Sequence, residues 1–226
     1  MRTPDLIAAG ATSSPGVQRN PRAAIVAAHE LAAAAGVAVL DAGGNAADAA
    51  VAVAAALAVV DCANCGIGGF GGFAVLDRGD AGPAMQIGFN ARVPRAFDCT
   101  ATQRGPPPPG ALVSPPAVVA GLAALRGGFG RLPAGDAWAS AIRLAREGFP
   151  VGKDLAAALR WAAQAHAGLN GAFRDLFFRG GEPLRPGERL VQPRLAQTLE
   201  RVAAHGAAAM GSGPIVESIC RTTREA

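Results

Sequence analysis

Residues 46–60 read A-A-D-A-A-V-A-V-A-A-A-L-A-V-V, and no other stretch restricts the possible folds as much. A helix that is apolar on every face is buried on every face, so other elements must wrap around this one. Asp48 is its only charge. Gly43-Gly44 ends the preceding helical pattern, because glycine takes the left-handed conformation found just past a helix C-terminus. Asn45 follows as an N-cap, with a side-chain oxygen that accepts from first-turn N–H groups. Asp48 places a carboxylate in that first turn, where the helix dipole favours negative charge. It reads as capping support rather than as a catalytic group.

A core large enough to bury such a helix is available, since 50% of the 226 residues are hydrophobic. No repeat and no linker divides the chain. The expected organisation is a flexible leader over 1–20 followed by one segment over 21–226. Lys153 is the one lysine, and the arginines are scattered in pairs such as Arg92/Arg95 and Arg185/Arg189. With no tyrosine to interleave with them, a net charge of +4 does not make a nucleic-acid groove. The longest apolar run, 49–60, is shorter than the roughly 20 residues that span a bilayer. The N-terminus M-R-T-P-D-L-I-A-A-G lacks the apolar core of a signal peptide. These features predict a cytoplasmic chain without nucleic-acid or membrane partners.

In that setting Cys62, Cys65, Cys99 and Cys220 are expected to be reduced thiols. The C-A-N-C spacing at 62–65 lacks a second pair for zinc. It also follows a helix C-terminus, the end of the dipole that does not stabilise a thiolate. No metal and no organic cofactor is predicted. His29, His166 and His205 stand far apart in sequence, and none is assigned to catalysis.

Secondary structure follows from periodicity and punctuation. Residues 22–28 read as a strand and 29–42 as a helix. Residues 73–77 and 85–89 read as antiparallel strands joined by the turn R-G-D-A-G-P. G-P-P-P-P-G at 105–110 reads as an extended surface loop. Helices then dominate, at about 116–126, 134–147, 151–167, 192–205 and 213–223. Residues 173–190 read as a compact loop with inward phenylalanines. The class is α/β (α+β).

Gly66-Ile67-Gly68-Gly69-Phe70-Gly71 matches G-x-G-x-x-G. A dinucleotide site needs those glycines after a strand and at the start of a helix, where the dipole meets the pyrophosphate. Here they leave a helix and enter a strand. Gly66, Gly68, Gly69 and Gly71 therefore read as a structural loop of close backbone approach, either to other strands or to a ligand.

G-G-N-A-A-D-A-A-V-A followed by G-I-G-G-F-G-G-F resembles the γ-glutamyltransferase (γ-glutamyltranspeptidase) family. Four further segments in the same order resemble motifs of that family: V-A-G-L at 119–122, G-R-L-P at 130–133, A-I-R-L-A-R-E-G-F-P-V at 141–151 and Q-P-R-L-A-Q-T-L at 192–199. Together they cover roughly residues 17–219.

The resemblance implies part of a four-layer αββα N-terminal-nucleophile hydrolase fold with a helix-rich C-terminal part. It also implies γ-glutamyl transfer or hydrolysis, with glutathione-like amides as donors. In such enzymes a self-cleaved threonine attacks the amide, with its own α-amine as base. The residues here correspond to the front of the large subunit. The expected partners are thus an acyl-amide small molecule and a C-terminal part or small subunit carrying the threonine, without which the chain is inactive. Thr222-Thr223 is followed by Arg224 rather than histidine and is not read as the nucleophile.

The family's F-R-E-T-A-P motif, whose arginine pairs with the donor α-carboxylate, corresponds to Phe89-Asn90-Ala91-Arg92-Val93-Pro94. Asn90 occupies the arginine's place and Arg92 stands two residues later. On a strand that shift keeps the same face and moves the head group by about 6.5 Å. Two readings of Arg92 stay open: a carboxylate partner with a planar fork, or a plain surface arginine. Two alternatives to the enzyme also remain, a non-catalytic remnant or interaction protein, and an acylase relative with a non-glutamyl donor.

Overall fold

The computed structural model of the chain describes residues 17–20, 23–79, 82–93, 113–165 and 171–225. The proline run at 105–110 and His166 lie outside them. The elements are β1 (Val17–Asn20), β2 (Ala23–Val26), α1 (Glu30–Asp41), α2 (Ala46–Val60), β3 (Phe73–Leu76), β4 (Met85–Gly88), α3 (Val118–Phe129) and α4 (Ala139–Glu147). Then follow β5 (Phe149–Pro150), α5 (Lys153–Ala165), α6 (Gly171–Phe177), β6 (Phe178–Arg179), β7 (Glu182–Pro183), β8 (Arg189–Leu190), α7 (Pro193–His205) and α8 (Pro214–Glu225). The chain is a mixed α/β structure in which helices dominate after residue 117.

α2 is the axis of the core. Its Val51, Ala55, Ala56, Val59 and Val60 are buried, as are Val119, Leu122 and Leu125 of α3 and Ala141 and Ala145 of α4. α1 lies along it at a distance only small residues permit: a Cβ added at Gly36 would stand 2.7 Å from Val53 Cγ2. α7 backs α4 with buried Leu199 and Val202. A stripe at helical spacing on α2 (Ala46, Ala50, Val53, Ala54, Leu57) is exposed or half-buried. The helix is thus not enclosed on every face, contrary to what its composition predicts.

The described strands form two-stranded antiparallel ribbons, β1–β2, β3–β4, β5–β8 and β6–β7. β1 corrects the leader reading at its end: Val17–Asn20 pairs with Ala23–Val26. The compact loop predicted over 173–190 is instead the end of α6, the β6–β7 hairpin and the strand β8. The hairpin's cause is Gly180-Gly181, which take φ of 58° and 88° between paired Arg179 and Glu182. Two successive residues at positive φ make the hairpin turn whose twist suits flanking strands. Its phenylalanines do cluster: Phe178 is buried, and the Phe173 and Phe177 rings lie 4.7 Å apart between centroids. The helix predicted from 134 starts as a 3₁₀ turn, Asp136–Trp138, before α4. Among the described residues no helix is long and apolar enough to cross a membrane.

Candidate functional site

Both ends of α2 are tied down by residues from distant segments. At its start the Asn45 side chain accepts the N–H groups of Ala47 and Asp48, at 3.0 and 3.2 Å. The Asp48 carboxylate returns the bond by accepting the Asn45 N–H at 3.1 Å, closing a capping box. The same two residues also reach across the fold. Asn45 Nδ2 donates to the Phe129 carbonyl at 2.6 Å, and Asp48 Oδ2 accepts the N–H groups of Arg131 at 2.8 Å and Leu132 at 3.4 Å. Asp48 is fully buried, and its Oδ1 has no hydrogen-bond partner among the described residues. Gly130 leaves room for that oxygen, since a Cβ there would stand 2.4 Å from it. The G-G-N-A-A-D and G-R-L-P segments are therefore one physical joint.

At the other end Gln192, only 4% exposed, donates its Nε2 to the Val59 carbonyl at 2.8 Å. Its backbone N–H goes to the Ala145 carbonyl, also at 2.8 Å. Val59 and Ala145 belong to the last turns of α2 and α4, where carbonyls lack intrahelical partners. One residue thus satisfies two helix ends while standing as N-cap of a third helix, α7. In the sequence Gln192 is visible only as the first residue of Q-P-R-L-A-Q-T-L, and nothing local marks this role.

The loop from α2 to β3 contains the four glycines, and the structure separates them. Gly66 and Gly68 are exposed, and an added Cβ would meet nothing within 4 Å at either. The Gly69 N–H closes a turn on the Gly66 carbonyl at 3.2 Å, and the Gly69 carbonyl receives the Ala117 N–H. Gly71 has φ of 136°, and a Cβ there would stand 2.1 Å from the Phe89 carbonyl oxygen. Close backbone approach is a property of Gly71, with Gly69 held in a tight turn.

That approach extends the β3–β4 ribbon into the segment predicted to meet substrate. The Phe89 N–H donates to the Gly72 carbonyl at 3.0 Å and the Ala91 N–H to the Phe70 carbonyl at 2.5 Å. Asn90 lies against Gly71, whereas Arg92 is exposed and makes no ion pair or hydrogen bond with any described residue. Asn45 and Asp48 are not neighbours of this segment. They lie near the other end of the hairpin, where Leu76, Asp77 and Arg78 border a recess of about 630 Å³ with Asn45, Ala47 and Arg131. Neither Asn90 nor Arg92 lines that recess.

The remaining chemistry is muted. Burial pushes the Cys62 thiol up to about 11 from 9.0, and burial followed by the Asp61 charge raises Cys65. Both shifts oppose thiolate formation and so oppose redox reactivity. No group of three or more His, Cys, Asp or Glu able to hold a metal ion occurs among the described residues. Thr222 and Thr223 lie within α8, where Thr223 Oγ1 donates to the Cys220 carbonyl at 3.2 Å.

The arrangement has counterparts. A profile described as Gamma-glutamyltranspeptidase matches residues 32–226. Glutathione hydrolase 7 of Bos taurus is 38% identical over 128 residues, which are 56% of this chain and 19% of that protein. The Helicobacter pylori gamma-glutamyltranspeptidase structure superposes with a TM-score of 0.80 at 30% identity, over 88% of this chain and 59% of that one. The Bacillus anthracis transpeptidase CapD gives 0.78 at 32% identity, over 88% and 65%. The chain therefore spans less than two thirds of the length of each. Its α/β fold is the one these N-terminal-nucleophile hydrolases share, and the chain belongs to the gamma-glutamyltranspeptidase family.

Proposed function

We propose that these 226 residues seat the acyl donor of a γ-glutamyl transferase or hydrolase acting on amides such as glutathione. The attacking threonine lies outside them, on a partner segment. The observation that carries this reading is the Phe89–Arg92 segment. Backbone bonds at Phe89 and Ala91 fix it against the glycine loop, while Arg92 remains exposed and unpaired among the described residues. A fixed backbone with a free planar guanidinium suits bidentate capture of the donor α-carboxylate. Asn90 adds an amide beside it. The partner's threonine hydroxyl then attacks the γ-carbonyl while its α-amine takes the hydroxyl proton; the amide C–N bond breaks as the γ-glutamyl ester forms, and that proton leaves on the departing amine. A cytoplasmic setting fits the free, half-buried Cys62 and Cys65.

The test compares two chromogenic amides, one γ-glutamyl and one lacking the α-carboxylate, in the protein assembled with its threonine-bearing partner. Arg92→Ala should raise KM for the γ-glutamyl amide about 10- to 100-fold, the value of a charged hydrogen bond of about 1.5–3 kcal/mol. KM for the truncated amide should not move. Equal effects on both would remove Arg92 from the donor site. The neutral Asn90, standing where an arginine is expected, favours a second reading: a donor without that carboxylate. In that case the truncated amide is the better substrate before any mutation.

A further inference from the structure

We infer that Gly121 of α3 is a positioning residue for the Phe89–Arg92 segment, acting through the Phe89 ring; this rests on the donor-site reading above. Gly121 is buried one turn into the helix. A Cβ built on it would stand 2.0 Å from Phe89 Cγ, 2.3 Å from Cδ2 and 2.5 Å from Phe89 Cβ. The notch left by the missing methyl group is thus filled by the ring. On the other side of the same residue, Gly71 leaves space for the Phe89 carbonyl, which an added Cβ would meet at 2.1 Å. Phe89 is seated between two glycines from different elements, and its N–H is bonded to Gly72. Arg92 follows three residues on, so the ring's seat sets where the guanidinium starts from.

Helix α3 contains its own control. Glycine inside a helix costs about 1 kcal/mol relative to alanine. At Gly127 and Gly128, in the same helix, an added Cβ meets nothing within 4 Å. A methyl group there improves the helix and touches nothing. At Gly121 the same methyl group gains the same propensity but must drive the ring from 2.0 Å to at least 3.4 Å.

Gly121→Ala, Phe89→Ala and Gly127→Ala are compared in two measurements. The first is amide hydrogen exchange at Phe89 and Ala91 in the 226-residue chain. The second is KM and kcat for a γ-glutamyl amide in the protein assembled with its threonine-bearing partner. Gly121→Ala should speed exchange at both amides at least tenfold. Phe89→Ala, which empties the notch without any clash, should do the same if the first variant folds poorly. Gly127→Ala should leave exchange unchanged. In the assembled protein the first two should raise KM at least tenfold with kcat within twofold, the mark of lost binding rather than lost chemistry. Unchanged exchange in both Gly121→Ala and Phe89→Ala overturns the inference. Faster exchange with KM unchanged supports the seat and instead removes this segment from the donor site.

Discussion

Asp48 has one carboxylate oxygen receiving N–H groups from Asn45, Arg131 and Leu132, in a position with no solvent contact. Truncation strands those donors, and each buried unsatisfied group costs about 1–3 kcal/mol. Asp48→Ala should therefore lower the unfolding free energy by about 3 kcal/mol or more, read from the urea midpoint. Asp48→Asn keeps an acceptor and should cost clearly less. From sequence, Asp48 is visible only as a first-turn carboxylate. The Arg131 and Leu132 bonds span 83 and 84 residues, and pairings at that distance leave no local pattern to read. The cysteines give a second prediction at this scale. Thiolate is the reacting form, and a thiol near 11 holds about a hundredth of the thiolate of one at 9 at any pH well below both. Among the three described cysteines (Cys99 lies outside the described residues), exposed Cys220 should be alkylated first at pH 8, and Cys62 last. The Cys62 rate should keep climbing until the pH approaches 11; a plateau near pH 9 would contradict its burial.

At the scale of elements, Gln192 joins α2, α4 and α7 by satisfying carbonyls at Val59 and Ala145. Gln192→Ala leaves the Val59 carbonyl without its donor but keeps the backbone bond to Ala145. The expected cost is about 2 kcal/mol, within the range for a buried unpaired polar group, again read from the urea midpoint. Helices are the most legible part of the chain, because apolar spacing and glycine punctuation act over a few residues. The start of α2 at Ala46 follows from Gly43-Gly44-Asn45, and the β3–β4 hairpin from two apolar runs around a turn. The β6–β7 hairpin is not legible in the same way. Its strands have two residues each, too few to show alternation, and only Gly180-Gly181 marks the turn. In the candidate site, Gly71 and Gly66 look alike in sequence. Only the placement of Phe89 distinguishes the glycine that contacts it from the one that faces open space.

At the scale of the whole molecule, the chain matches about 59–65% of the length of the solved transpeptidases it superposes on. The β3–β4 ribbon carries large apolar side chains on an open face, with Phe73 68% and Val75 65% exposed, flanked by Phe70 and Val93. A two-stranded ribbon is marginal on its own, and here β4 leans on α3 through Phe89 while the opposite face stays uncovered. The core around α2 thus holds a ribbon whose open end presents Asn90 and Arg92. Thr222 and Thr223 lie within α8, where the Thr223 hydroxyl donates to the Cys220 carbonyl. The proposed division between a donor seat within these residues and a nucleophile beyond them is tested most directly by supplying the purified 226-residue chain with a chromogenic γ-glutamyl amide. No release above the uncatalysed rate is predicted for the chain alone, with release appearing when the threonine-bearing partner is added. Steady turnover by the chain alone, proportional to its concentration, would contradict the account.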